Sequence, residues 1–167
     1  MFYNAQYNQY VNEGTAFVLG GTQYPANWLN CSTPEEKAQA GLVEVVTLNQ
    51  PANSTYYWVT EQLNGAELSY INTPKDLTDV KATAIDQTNS TAYSLLFPTD
   101  WMVVKATETS TKVPTAWNSW RQSVRDVAAN VTSMIEGAPD VDNVAGIMAN
   151  INWPKNPDQL VAEGVAA

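Results

Sequence analysis

The sequence predicts an α+β fold, with an antiparallel β part at the N-terminus and a helical part at the C-terminus. Three observations carry this. Short β-rich runs separated by Gly- and Asn-containing turns fill residues 1–74. Pro74 breaks that pattern, and residues 76–96 change to helical spacing. From Trp117 to Met134, apolar residues then recur at intervals of three and four. The predicted organisation is a β-rich part over 1–74, a helical part over 75–151, and a proline-containing docking segment and tail over 152–167.

Taken in order, the opening run FYNAQYNQY sets Phe2 or Tyr3, Tyr7 and Tyr10 among amides. It reads as an edge strand, the alternative being an aromatic contact patch that costs little entropy to order. Ala16 to Leu19, followed by Gly20 and Gly21, is the first arm of a hairpin. Thr33, Pro34 and Glu36 make a helix start, with Thr33 as cap, Pro34 in the first turn and Glu36 completing a capping box. Gly41 ends that helix. Val43–Leu48 and Thr55–Thr60 are β-rich runs divided by the loop-forming Asn49–Asn53. Asn64-Gly65 is a hairpin signal joining the strand through Trp58 to Glu67–Ile71.

In the second half, Val80, Ala84 or Ile85, Ala92 and Leu96 predict a helix over 76–96, which Pro98 ends at or before Phe97. Thr99-Asp100-Trp101 reads as a turn, with Asp100 bonding its own backbone. Thr109–Lys112 is a polar loop. The clearest helix covers Thr115–Ile135 through Trp117, Trp120, Val124, Val127, Val131 and Met134, and stops at Gly137-Ala138-Pro139. Asp142–Asn150 is a short helix capped by Asp140. From Asn152 onward Pro154 and Pro157 are expected to block helix, leaving Val161–Ala167 as a tail.

Composition narrows the function. Seventeen acids against eight bases give a formal net charge of −9. A phosphate-backbone binder needs clustered Lys and Arg to displace counterions. Here the two arginines share one helix, so no nucleic-acid partner is expected. Cys31 is the single cysteine and there is no histidine, which removes the disulfide, the thiolate metal cluster and the usual proton shuttle. No nucleophile elbow, phosphate loop or metal-ligand spacing is present, so no enzyme, cofactor or metal is expected. The N-terminus lacks the basic segment and apolar core of a signal peptide. No run approaches the roughly 18 apolar residues of a membrane span. Sequons at Asn30, Asn53, Asn89 and Asn130 then follow from an Asn- and Thr-rich composition. A cytoplasmic site of synthesis and first use is expected.

Four of the six tryptophans and both arginines lie between Ser94 and Pro157. Interfaces concentrate these residues because each combines contact area with directional hydrogen bonding. The candidate partner-binding residues are therefore Trp117, Trp120, Arg121, Arg125, Trp153 and Pro154. Each has a structural alternative. The tryptophan face of the helix either packs on the preceding helix, grips a partner or pairs with a second copy. Arg121 and Arg125, one turn apart, either make a designated anion or carbonyl contact or form salt bridges to Asp100 and Asp126. Trp153-Pro154 either folds back on the domain or inserts into a partner, where a rigid segment loses less entropy.

The same stretch carries a family likeness. Leu95, Leu96, Thr99, Asp100 and Trp101 form one block. Val113, Pro114, Trp117, Trp120, Arg121, Val124, Arg125 and Asp126 form a second, and Trp153, Pro154 and Pro157 a third. Their order resembles the C-terminal module of bacteriophage tail fibre assembly chaperones. Trp120 stands where the family usually has Tyr, and the spacer before Trp153 is long. Tyr24 to Leu29 adds a looser N-terminal likeness. The resemblance implies a chaperone that binds the distal, C-terminal region of a trimeric fibre protein in the host cytoplasm. It would keep fibre chains soluble until they trimerise, by binding alone. The alternative is a structural tail-tip or adhesin protein that stays on the virion.

Overall fold

The computed structural model describes residues 1–164. They form two compact units that divide between Thr73 and Pro74. The N-terminal unit contains β1 (Phe2–Asn4), β2 (Gln9–Val11), β3 (Phe17–Leu19), β4 (Thr22–Tyr24), α1 (Trp28–Cys31), α2 (Pro34–Gln39), β5 (Leu42–Glu44), β6 (Val46–Thr47) and β7 (Tyr57–Asn64), and β8 (Glu67–Pro74) runs to its boundary. The C-terminal unit contains α3 (Leu77–Leu96), a 3-10 turn (Phe97–Thr99), α4 (Asp100–Glu108), α5 (Thr115–Gly137), α6 (Val141–Ala149) and α7 (Pro157–Ala162). The chain is α+β, as its sequence predicts.

In the first unit β1 lies between β2 and β5, antiparallel to both. The opening run is thus a hairpin whose first strand, β1, is the centre of a small sheet, because Leu42–Glu44 covers its other side, while β2 is the expected edge. Strand periodicity buries Phe2 and Asn4 and leaves Tyr3 partly open. Asn4 is 1% exposed and satisfies its amide locally. It donates to the Ala40 carbonyl at 2.9 Å and accepts from the Tyr7 N–H at 3.1 Å. Gly41 has φ +69°, and a Cβ there would lie 3.0 Å from the Asn4 amide nitrogen, so this turn requires glycine. The hairpin β3–β4 stacks Phe17 on Tyr24 at 4.9 Å. Phe2, Val11, Phe17, Leu19, Leu29 and Leu42 form the core, with Trp28 packed against it. The Thr33–Glu36 capping box opens α2 with Pro34 in its first turn.

The third sheet has the order β6-β8-β7. Its turn is Gly65-Ala66, with Asn64 the last strand residue, one position beyond the expected Asn-Gly pair. Gly65 still supplies the positive φ, +59°. β6 runs parallel to β8, the exception to an otherwise antiparallel unit. No residue of β6, β7 or β8 is buried.

In the second unit α3, α5 and α6 pack on one another. Val80, Ala84, Thr88 and Ala92, spaced by four, are the buried face of α3. The buried line of α5 runs through Trp120, Arg121, Val124, Ala128, Val131 and Ile135. The expected stripe through Val127 and Met134 is one residue out of phase at its C-terminal half. Ile135 is fully buried and Met134 is 43% exposed, because a 3.6-residue repeat carries the contact line from Val131 to the residue four on. Asp140 caps α6, accepting from the Asn143 N–H at 2.8 Å.

Two proline readings are corrected. The chain does not turn at Thr99-Asp100-Trp101: Pro98 sits in the first positions of a 3-10 turn that leads directly into α4. Pro157 likewise opens α7 behind an Asn156–Gln159 capping box. A proline at the first turn has no N–H to lose, so it starts a helix as readily as it stops one. The expected tail is helical to Ala162, and its last residues, 165–167, lie outside those described.

Candidate docking site

The predicted residues of α5 and the Trp153-Pro154 segment meet in one place, at the N-terminal half of α5. Trp117 and Trp120 cross edge to face at 5.6 Å. Trp120 is buried, and its indole Nε1 donates to the Pro154 carbonyl at 2.8 Å. Trp117, Trp153, Leu95 and Leu96 pack around a core of Ala92, Trp120, Val124 and Ala128. Trp120 and Trp153 are therefore part of the unit's own packing, and Pro154 anchors the segment through its backbone.

The two arginines separate. Arg121 is 5% exposed and reaches into the bend between α3 and α4. There it donates to the Leu96 carbonyl at 3.0 Å, to the Thr99 hydroxyl, and to Asp100 Oδ1 at 2.7 Å. It replaces the hydrogen bonds that the helix-to-helix junction leaves unmade, so the expected partner contact is corrected to an internal one. Arg125 is exposed and has no ion pair among the described residues. Asp126, its alternative partner, accepts instead from Gln122 at 2.8 Å.

Reasoning from sequence missed what this packing leaves outside. Tyr93, Phe97, Trp101 and Val104 are 62%, 61%, 57% and 56% exposed. They recur at four, four and three along the chain: Tyr93 on the last turn of α3, Phe97 at the start of the 3-10 turn, and Trp101 and Val104 on α4. The Tyr93 and Phe97 rings stand 5.5 Å apart. Next to the row, Leu95, Pro98, Trp101, Met102, Trp117 and Trp120 line an open groove of about 390 Å³. A second depression shares Trp101, Met102 and Trp117 and adds Lys105 and Lys112. The Lys105 ammonium lies 5.8 Å from the centre of the Trp101 ring. Two of eight basic residues thus border the second depression, while Asp158 lines the first. The four-residue spacing was legible, but reading Thr99-Asp100-Trp101 as a turn hid the start of α4 at Asp100.

Among the described residues no three His, Cys, Asp or Glu side chains converge in a way that could hold a metal. Asp140 has its carboxyl held below the ordinary range, first by the Asn143 side-chain amide and then by the Asn143 N–H, and both serve the α6 cap. Among the described residues no helix is long and apolar enough to cross a membrane.

No family model, curated protein or solved structure matches the chain.

Proposed function

We propose that the chain is a phage tail fibre assembly chaperone that binds the distal, C-terminal region of a fibre protein by surface contact alone. The observation that carries this reading is the set of exposed aromatics Tyr93, Phe97 and Trp101, the last of which lines both an aromatic groove and a neighbouring depression bordered by Lys105 and Lys112. Two of the three sequence blocks that resemble such chaperones line that groove, through Leu95, Trp101 and Trp117. Exposed aromatic rows of this size mark interaction sites, and aromatic residues dominate the affinity of such contacts. The lysines favour a partner with carboxylates at the rim of the contact.

The physical need for such a partner is clear. Trimeric fibres are intertwined β-structures whose non-local pairing makes folding slow. Unpaired strand edges invite aggregation during that delay. A surface that covers them and later yields to trimer contacts gives assistance from binding energy, without turnover chemistry. The site of action is the host cytoplasm during assembly.

Co-expression tests this. A fibre gene expressed with the chain should give a soluble trimer, and the fibre alone should aggregate. Equal yields of soluble trimer in the two arms would end the reading.

A further inference from the structure

The depression beside the aromatic groove carries a charge opposite to that of the molecule. It encloses about 210 Å³ between α4 and the start of α5, with apolar walls from Trp101, Met102, Pro114 and Trp117 and two cations, Lys105 and Lys112. No acid lines it. Among the described residues neither lysine has an ion pair, although acids outnumber bases seventeen to eight. Residues 101–118 hold these two lysines against one acid, Glu108, a net +1 in a chain at −9.

Size and charge together define the occupant. The cavity is smaller than the ~300–1,000 Å³ that drug-sized ligands need, so it takes a single residue. Its walls call for an apolar side chain, and its two ammonium groups call for an anion on the same residue. Asp and Glu bring the anion without the apolar body. The last residue of a polypeptide brings both, because its α-carboxylate is free whatever its side chain. The neighbouring groove adds a direction. Asp158 lines that groove but not this cavity, so a carboxylate is repelled from the one and drawn to the other. Residues that precede the terminus would lie along Leu95 and Pro98. The start of α5 reinforces the polarity, since Pro114 offers no side-chain cap and leaves the positive helix end open at the cavity wall.

We propose that this cavity captures the free C-terminal carboxylate of a partner chain whose last side chain is apolar. Lys105 and Lys112 pair with the carboxylate, and Trp101 and Trp117 flank the side chain. The inference rests on the reading of the chain as a fibre chaperone and names what it would grip, the terminal residue of the fibre's C-terminal region. Capture of a chain end is a recognised mode of peptide binding. Each fibre chain has one such end, so the site selects termini and disregards acidic residues within the chain.

Short peptides test this on the whole chain. The probes are N-acetyl-Gly-Gly-Ser-Leu with a free carboxylate, the same peptide as its C-terminal amide, and N-acetyl-Gly-Gly-Glu-Leu amide, which moves the charge to a side chain. The indole N–H signals of Trp101 and Trp117 report binding by NMR. The free acid should shift both signals and bind about tenfold tighter than either amide, the ratio expected for one charge-assisted contact. Lys105→Gln with Lys112→Gln should abolish that preference without changing the circular dichroism spectrum, and the paired exchange to Arg should retain it. Equal affinity for acid and amide would overturn the proposal, as would a Glu-bearing amide that binds like the free acid. So would absence of binding by all three peptides, or a preference that survives the paired Gln exchange. If a second copy fills the cavity instead, sedimentation will give a mass above 18.3 kDa that the paired Gln exchange lowers, and the proposal also fails. Peptides that fail while co-expression still yields soluble fibre trimer would sink terminal capture and leave the chaperone reading standing. A clear preference for the free acid without any gain in fibre yield would do the reverse.

Discussion

The indole of Trp120 donates its hydrogen to the carbonyl of Pro154 at 2.8 Å, across 34 residues of sequence. This bond closes the path from α5 through α6 and back. It satisfies a buried ring nitrogen and fixes the rigid Trp153-Pro154 segment against the α3–α5 packing. The segment with the strongest appearance of a free docking arm is thus a clasp on its own unit. The proposed partner contact then falls to the neighbouring exposed surface of Tyr93, Phe97 and Trp101.

Trp153→Ala should accordingly destabilise the C-terminal unit. The ring packs on the Ala92, Trp120, Val124 and Ala128 cluster while remaining partly open. Truncation of a core aromatic costs ~3–5 kcal/mol, and partial exposure places this one at the lower end, about 3 kcal/mol. Urea unfolding followed by tryptophan fluorescence measures it. A variant as stable as the parent, yet impaired in fibre binding, would return Trp153 to the interface.

Arg121 is expected to matter for folding in a way that Arg125 does not. Removing the buried guanidinium strips the Leu96 carbonyl, Thr99 and Asp100 of their donor. Arg121→Ala should cost about 3 kcal/mol, the lower range for breaking a buried ion pair, since Asp100 is half exposed and recovers water. Arg125→Ala should stay within about 0.5 kcal/mol, as for an exposed surface position. Equal stability of the two variants would contradict the assignment.

Much of the fold was legible because its signals are local. The Thr33–Glu36 capping box, the Gly20-Gly21 hairpin, the Asp140 cap and the long α5 each declare themselves within a few residues. Pro98 and Pro157 were harder, since a proline is compatible with both the end of one helix and the first turn of the next. The central position of β1 depends on β5, some forty residues away, and no local pattern encodes that pairing. The site was half legible. The tryptophans and arginines were found as a cluster, but composition cannot say which of them face inward. Burial of Trp120 and Arg121 and exposure of Tyr93, Phe97 and Trp101 are decided by the phase of α3 against α5.

Acid should weaken the start of α6. The Asp140 carboxyl is held below its usual 3.8 by the Asn143 side chain and backbone. A depressed folded value means that the stabilisation is fully present above pH 3.8 and lost as pH falls through the lower folded value. The melting temperature of Asp140→Ala should lie below that of the parent at neutral pH, and the gap should close in strong acid. Asp140→Asn keeps a capping oxygen and should show little of that acid dependence. A gap independent of pH would mean that the carboxylate charge contributes nothing to the cap.

The exposed aromatic row gives the sharpest separation of binding from stability. Trp101 projects from α4 with more than half its surface open and Lys105 beside its ring. Trp101→Ala should therefore leave unfolding free energy within about 0.5 kcal/mol of the parent. If the row grips the fibre, the same change should cost ~2 kcal/mol of affinity, roughly thirtyfold in Kd, as anchors at interface centres do. Phe97→Ala should behave alike. Lys105→Ala should act mainly through association rate and salt sensitivity, because a charge at the rim steers encounter more than it holds the complex. Calorimetric titration of a co-purified fibre tip, run at low and high salt on all three variants, resolves these contributions. Undiminished affinity in both aromatic variants would remove the row from the docking site.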